Sequence, residues 1–194
     1  MDRNSSGKFR AVVAGVSSGG VEALELVISA LPADFPLPVM VVAHISLESG
    51  NGLALLLDEQ CAIRVKEADE MEAAVAGTVY LAPPNYHLQV EKDGSLSLSV
   101  DPPVMFARPS VDVLFESAAS VFGAGLIGVV MTGVGSDGSN GLRRIRDAGG
   151  VTVVQEPAGA IADGMPRSAI DAASPDYIVP LQQIAPLLVR LAMS

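Results

Sequence analysis

The chain changes between two hydrophobic regimes as it is read from the N-terminus. Short runs dense in apolar residues occur at Phe9 to Ala14, Val39 to Ala43, Leu126 to Met131 and Val151 to Gln155. Runs of this length and kind predict strands buried on both faces of a sheet. Between them the spacing is helical. Val21, Leu24, Val27, Ile28 and Leu31 share one face and predict a helix over Val21 to Leu31. Val111, Leu114, Phe115, Ala118, Ala119 and Phe122 do the same over Val111 to Phe122, with Ser110 placed to start that helix. Further helices are predicted at Leu53 to Glu59, from Gly138 to about Ala148, at Arg167 to Ala173 and at Ile184 to Leu191. Further strands are predicted at Ile63 to Glu67, Gly77 to Ala82 and Tyr177 to Val179. His87 to Glu91 and Leu96 to Val100 alternate about Lys92-Asp93-Gly94, the signal of a β-hairpin attached to the main sheet. Alternation of strand and helix predicts one α/β unit with a mainly parallel sheet, helices on both its faces in three α/β/α layers, and a small β-hairpin.

Composition narrows the class. With 194 residues, 49% of them hydrophobic and none of them Trp, the chain suits one domain with an aliphatic core. Its formal net charge of -10 argues against nucleic acid, because neutralising phosphates needs clustered Lys and Arg. The single cysteine, Cys61, excludes an internal disulfide and a cysteine-rich zinc site, and reads as a small hydrophobe. Residues 1–8 read as a flexible polar tail without the apolar centre of a signal peptide. No apolar stretch reaches the ~18 residues that would span a bilayer. No membrane insertion and a cytoplasmic location are therefore expected.

The candidate chemistry lies where three strands end, the place where open parallel sheets bind ligands. Gly15-Val16-Ser17-Ser18-Gly19-Gly20 follows the first strand and fits a G-x-S-x-G nucleophile pattern. His44 follows the second strand. Asp137 sits in the glycine-rich turn after the strand at 126–131. A serine hydroxyl needs a base to take its proton as it attacks. Neutral imidazole, with an ordinary pKa near ~6.5, can take and return one, and a carboxylate can fix the tautomer of the ring. The bland alternatives are a structural glycine turn for Ser17, a hydrogen-bonded core histidine for His44, and an N-cap for the helix near Gly138 for Asp137. His87, the other histidine, reads as structural or surface. Backbone N–H groups near Ser18 and in Gly133 to Gly135 are candidates for holding an oxyanion.

Gly133-Val134-Gly135-Ser136-Asp137-Gly138 is also a literal G-x-G-x-x-G, with Glu156 standing 18 residues beyond Gly138 where a ribose-binding acid would fall. Two objections weigh against a dinucleotide. Asp137 would repel the pyrophosphate, and the turn comes late in the chain.

Taken together, the motifs resemble the catalytic domain of the bacterial chemotaxis protein-glutamate methylesterases (CheB type). The resemblance is carried by Gly15 to Gly20, by His44, and by Tyr80-Leu81-Ala82-Pro83 with His87. Arg108-Pro109-Ser110-Val111-Asp112-Val113-Leu114-Phe115, Thr132 to Gly138 and Gly164-Met165-Pro166-Arg167 follow in the family's order, so that residues 9–190 are covered. It implies a doubly wound fold with Ser17 as nucleophile, His44 as base and Asp137 as orienting carboxylate. Ser18, Gly133, Val134 and Gly135 would border the site, with an oxyanion donor at Val134. The implied reaction is hydrolysis of glutamate methyl esters on the cytoplasmic helices of methyl-accepting chemoreceptors or a similar methylated protein. Methanol is released, and glutamine deamidation accompanies it in many members. No cofactor and no metal are implied.

Two segments depart from the family. Prolines usual after the base histidine are replaced by Ile45-Ser46-Leu47-Glu48, and Phe106-Ala107 precede Arg108 where Arg-His is usual. Residues 9–194 are expected to form the catalytic domain with no receiver domain, since eight residues cannot supply one. Arg108 and Arg167 are candidates for docking substrate, against a plain reading as solvated or salt-bridged surface arginines. The competing functions are an esterase acting on another carboxyl ester and a non-catalytic binding or regulatory module.

Overall fold

The computed structural model describes residues 8–44 and 52–194. Most of the expected tail and of the expected loop after His44, including Ile45 to Glu48, lies outside the described residues. Seven strands form one parallel sheet: β1 (Ala11–Val16), β2 (Val39–Ala43), β3 (Arg64–Glu67), β4 (Thr78–Leu81), β7 (Leu126–Val130), β8 (Val151–Gln155) and β9 (Tyr177–Val179). Their order across the sheet is β3-β4-β2-β1-β7-β8-β9, and every pairing is parallel. The chain builds outward from β1 in one direction through β2, then crosses to β7 and builds the other way. The switch point of this doubly wound sheet therefore falls between β1 and β7.

Alternation along β1 explains the layers. Val12, Ala14 and Val16 turn to one face, which α1 (Gly20–Ser29), α2 (Gly52–Gln60) and α6 (Leu181–Ala192) cover with Leu24, Ile28, Leu57 and Leu188. Ala11 and Val13 turn to the other. There α3 (Val111–Phe122), α4 (Ser139–Asp147) and α5 (Gly164–Ala173) bring Leu114, Phe115, Leu142, Ile145 and Ala169. Burying each large aliphatic or aromatic side chain of this kind contributes roughly 1.5–3 kcal/mol. The helices thus gain their stability from one packed stripe each.

Two expectations are corrected. The hairpin of β5 (His87–Val90) and β6 (Leu96–Ser99) is a separate antiparallel sheet and is not hydrogen-bonded into the main one. It packs on α3, where Ser117 Oγ accepts the amide of Val90 at 3.1 Å, and Leu88, Val90 and Leu96 join the core on that side. Alternation shows a hairpin but carries no information on which layer receives it. The loop expected over Glu156 to Pro166 holds a short 3-10 turn at Pro157–Gly159, and α5 begins three residues before Arg167. Proline is tolerated in the first turn of a helix, so Pro166 lies inside α5 and does not mark a boundary.

Candidate active site

The site forms at the carboxyl edge of the sheet, beside the switch point. Val16 pairs with Ala43, and the amide of His44 donates to Val16 O at 3.0 Å. Ser17 and His44, the next residues on each strand, are therefore neighbours one strand spacing apart, about 4.8 Å. Ser17 also lies against the loop that follows β7. Its amide donates to Thr132 O at 2.9 Å, and a Cβ at Gly133 would fall 2.8 Å from Ser17 Cβ and inside the Met165 thioether. Only glycine permits that approach. The turn after Ser17 differs from the strained nucleophile elbow of other hydrolases. The left-handed residue is Gly19 (φ 78°), while Ser17 keeps an ordinary backbone.

Asp137 has an unexpected set of partners. It does not cap the helix that follows it, whose N-cap is Gly138. It reaches across to the start of α3. Oδ1 accepts Ser110 Oγ and the amide of Asp112, both at 2.9 Å, and Oδ2 accepts the amide of Val111 at 2.8 Å. Ser110, at the N-cap of α3, makes no cap of its own, and Asp137 takes over that role from another element. Nε2 of His44 lies 2.9 Å from Oδ2 of the same carboxylate. This close contact falls off the ring N–H axis, and Nε2 has no other described partner. Burial pushes the Asp137 carboxyl up. The His44 imidazole, the amides of Asp112 and Val111 and the Ser110 hydroxyl outweigh it and hold the group below its ordinary 3.8. A carboxylate at a helix N-terminus is favoured for the same reason.

Asp112 makes the reciprocal contact. Its Oδ1 accepts the amide of Gly141 in the first turn of α4 at 2.7 Å. Each of the two helices is thus capped by a carboxylate from the other's vicinity. The Asp112 carboxyl is raised above 3.8, first by burial and then by the negative charges of Asp137 and Glu116, which outweigh the amide of Gly141.

A cleft of about 520 Å³ opens over His44 and Asp137. Val134 to Ser136 form one wall and Pro103 with Met105 to Pro109 the other. Gly133 does not offer its N–H, which donates to Ala162 O at 2.9 Å. The amides of Ser18 and Val134 donate to no described group, and Val134 and Ser18 are both exposed. Gly135 lines the cleft. Thr132 fastens three loops, its Oγ1 donating to Ser18 O at 2.8 Å and accepting the amide of Ala162 at 3.0 Å. Gln155 Oε1, fully buried, accepts the amide of Thr132 at 2.8 Å.

Both docking arginines are hydrogen-bonded, but only Arg167 to an opposite charge. Arg108 lines the cleft, but its Nη1 donates to the carbonyls of Val100 and Asp101 at 2.8 and 3.1 Å. Arg167 pairs with Asp163 at 2.6 Å, at the i,i+4 spacing of α5's first turn. Sequence reasoning missed Ser110 as a partner of Asp137, Thr132 as the loop staple and Gln155 beneath it. For Ser110 the available signal was its place in the Arg108 to Phe115 motif. For Gln155 it was a polar residue closing a mostly apolar strand.

Fold and site together define a doubly wound α/β protein with a Ser-His-Asp constellation gathered at the carboxyl edge of its parallel sheet. The chain belongs to the CheB methylesterase family, whose family model matches residues 12–188. A Leptospira interrogans protein that provisionally carries the name protein-glutamate methylesterase/protein-glutamine glutaminase is 47% identical over 183 residues. The match takes in 94% of this chain and 95% of that protein. The protein-glutamate methylesterase/protein-glutamine glutaminase of Clostridium acetobutylicum is 38% identical over 190 residues. This chain spans about half the length of that relative, 55%, with 98% of its own residues matched. The crystal structure of the Thermotoga maritima CheB methylesterase catalytic domain superposes with a TM-score of 0.90 at 34% identity. The superposition covers 96% of this chain and all of that one.

Proposed function

We propose that the chain is a serine esterase that hydrolyses glutamate methyl esters on the cytoplasmic helices of chemoreceptors. The observation that carries this reading is the His44–Asp137 contact in the lining of the cleft, with Ser17 beside His44 on the neighbouring strand, in a chain of the CheB methylesterase family. Ser17 Oγ attacks the ester carbonyl while His44 takes its proton on the ring nitrogen not engaged by Asp137. The buried carboxylate stabilises the imidazolium. The amides of Val134 and Ser18 are the groups to hold the oxyanion. Collapse expels methoxide, which takes the proton from His44 and leaves as methanol. Water, deprotonated by the same imidazole, then attacks the acyl-enzyme and restores Ser17 with a free glutamate side chain. Glutamine deamidation follows the same path with ammonia as leaving group, in keeping with the double name of the relatives.

Residues 9–194 act as one catalytic unit in this reading, in the cytoplasm where such receptor segments lie. No described helix is long and apolar enough to cross a membrane. Methanol release from methylated receptor membranes, measured for the intact chain and for Ser17→Ala, tests the reading. Release that falls by several orders of magnitude in Ser17→Ala is expected. Equal release from both proteins would sink it. A second reading, cleavage of a different carboxyl ester, is favoured by the apolar tip of the cleft wall, where Met105 and Phe106 stand exposed. It predicts Ser17-dependent turnover of simple esters with none of the receptor.

A further inference from the structure

The family motifs contain a histidine that the reaction does not use. His87 stands at the start of β5, on the hairpin outside the main sheet, and is 1% exposed. Its Nδ1 lies 3.2 Å from the backbone nitrogen of Ser110, and its Nε2 lies 3.2 Å from the carbonyl oxygen of Pro102. An amide N–H can only donate and a carbonyl can only accept. The two contacts are satisfied together by one form of the ring, neutral and protonated on Nε2.

Both partners lead to the site. Ser110 is fully buried, and its hydroxyl donates to Asp137 Oδ1 at 2.9 Å. The next two amides, of Val111 and Asp112, close on the same carboxylate, whose Oδ2 meets His44. Pro102 opens the segment that becomes the cleft wall from Pro103 to Pro109. One imidazole thus joins the start of α3, which orients Asp137, to the base of that wall. An aliphatic side chain in its place would leave a buried N–H without an acceptor at the point where α3 begins.

We propose that His87 is a positioning residue: as a neutral, Nε2-protonated bridge between Ser110 and Pro102, it fixes the start of α3 and so the direction in which Asp137 faces His44. The small hairpin then serves to deliver this ring to the site. The kinetic consequences rest on the esterase reading, whereas the form of the ring does not.

The test uses the full chain. Only two histidines are present, so a long-range proton–nitrogen spectrum of the 15N-labelled protein at neutral pH shows two imidazoles, and His87→Gln assigns them. The His87 ring is expected in the neutral Nε2-H form. An Nδ1-H ring or an imidazolium overturns the proposal. Hydrolysis of p-nitrophenyl acetate supplies the second readout. His87→Leu is expected to lower kcat roughly tenfold or more with KM little changed, and Ser110→Ala to lower kcat in the same way. His87→Gln, which offers an acceptor and a donor at its tip, is expected to recover most of the loss. Wild-type kcat in His87→Leu, or no recovery in His87→Gln relative to it, overturns the proposal. Should His87→Leu fail to fold, the Gln and Ser110 variants and the spectrum decide. Absence of any ester turnover by the unaltered chain would count against the esterase reading alone, and the ring form would still decide the bridge.

Discussion

Asp137 combines two roles in one carboxylate, and the combination has a measurable cost when either oxygen is lost. In Asp137→Asn one oxygen becomes an NH2 group that cannot accept, so His44 or the start of α3 loses a partner. Ester turnover should fall by about three to four orders of magnitude, as expected when the carboxylate of a triad becomes an amide. Stability should fall with it, because amides of Val111 and Asp112 depend on the same group. The pH dependence has a definite sign. The carboxyl is held below 3.8 in the folded state, so its contribution is present above that value and is lost as pH falls through the folded value. The gap in melting temperature between wild type and Asp137→Asn should therefore be full at pH 7 and close at strongly acid pH. An equal gap at both would contradict it. At this scale the sequence was informative about residue types and weak about partners. Ser17, His44 and Asp137 stood out because each lies in the segment that follows the carboxyl end of a strand. The donors around Asp137 come from α3, 25 to 27 positions away, and no local pattern encodes a cap delivered from another element.

The reciprocal capping of α3 and α4 is the feature that joins element geometry to the site. Asp112 leaves α3 to accept Gly141 of α4, while Asp137 leaves the loop before α4 to cap α3. Burial, and after it the negative charge of Asp137, raises the pKa of the Asp112 carboxyl. A raised carboxyl contributes stability below 3.8 that disappears as pH rises through the folded value. At pH 7 the Asp112 charge therefore weakens the fold, while its oxygen supports α4. Asp112→Asn keeps the acceptor and removes the charge, so its melting temperature at pH 7 should equal or exceed that of wild type. The advantage should vanish below about pH 3.8. Asp112→Ala leaves the Gly141 amide buried and unpaired, which costs about 1–3 kcal/mol. Circular-dichroism melts of the two variants at both pH values decide the matter, and a less stable Asp112→Asn at pH 7 would refute it. The helix itself was legible from periodicity alone, Val111 to Phe122 appearing with the expected bounds. The placement of the hairpin was not, because a strand's pattern reports that one face is buried and leaves the covering element unnamed.

At the scale of the whole molecule, charge and cleft are in tension. The chain carries 22 acidic residues against 12 basic ones. On α4 the arginines Arg144 and Arg146 fall in the last turn, at the end remote from Asp137, where they complement the helix dipole. Near the cleft, Arg108 is tied to two carbonyls and Arg167 is neutralised by Asp163. An acidic substrate helix, such as a receptor methylation region, would then meet a molecule of like net sign, with Arg108 the one arginine or lysine in the described lining of the cleft. Repulsion of this kind slows encounter and is screened by salt, the Debye length falling from about 30 Å at 0.01 M to about 10 Å at 0.1 M. The kcat/KM for a methylated receptor fragment should therefore rise as salt is added over that range, while that for a neutral ester such as p-nitrophenyl acetate stays flat. Because kcat should change little for either substrate, the rise belongs to association. A fall in kcat/KM for the receptor fragment would show that attraction governs docking, and would return Arg108 and Arg167 to the role that their positions in the sequence first suggested.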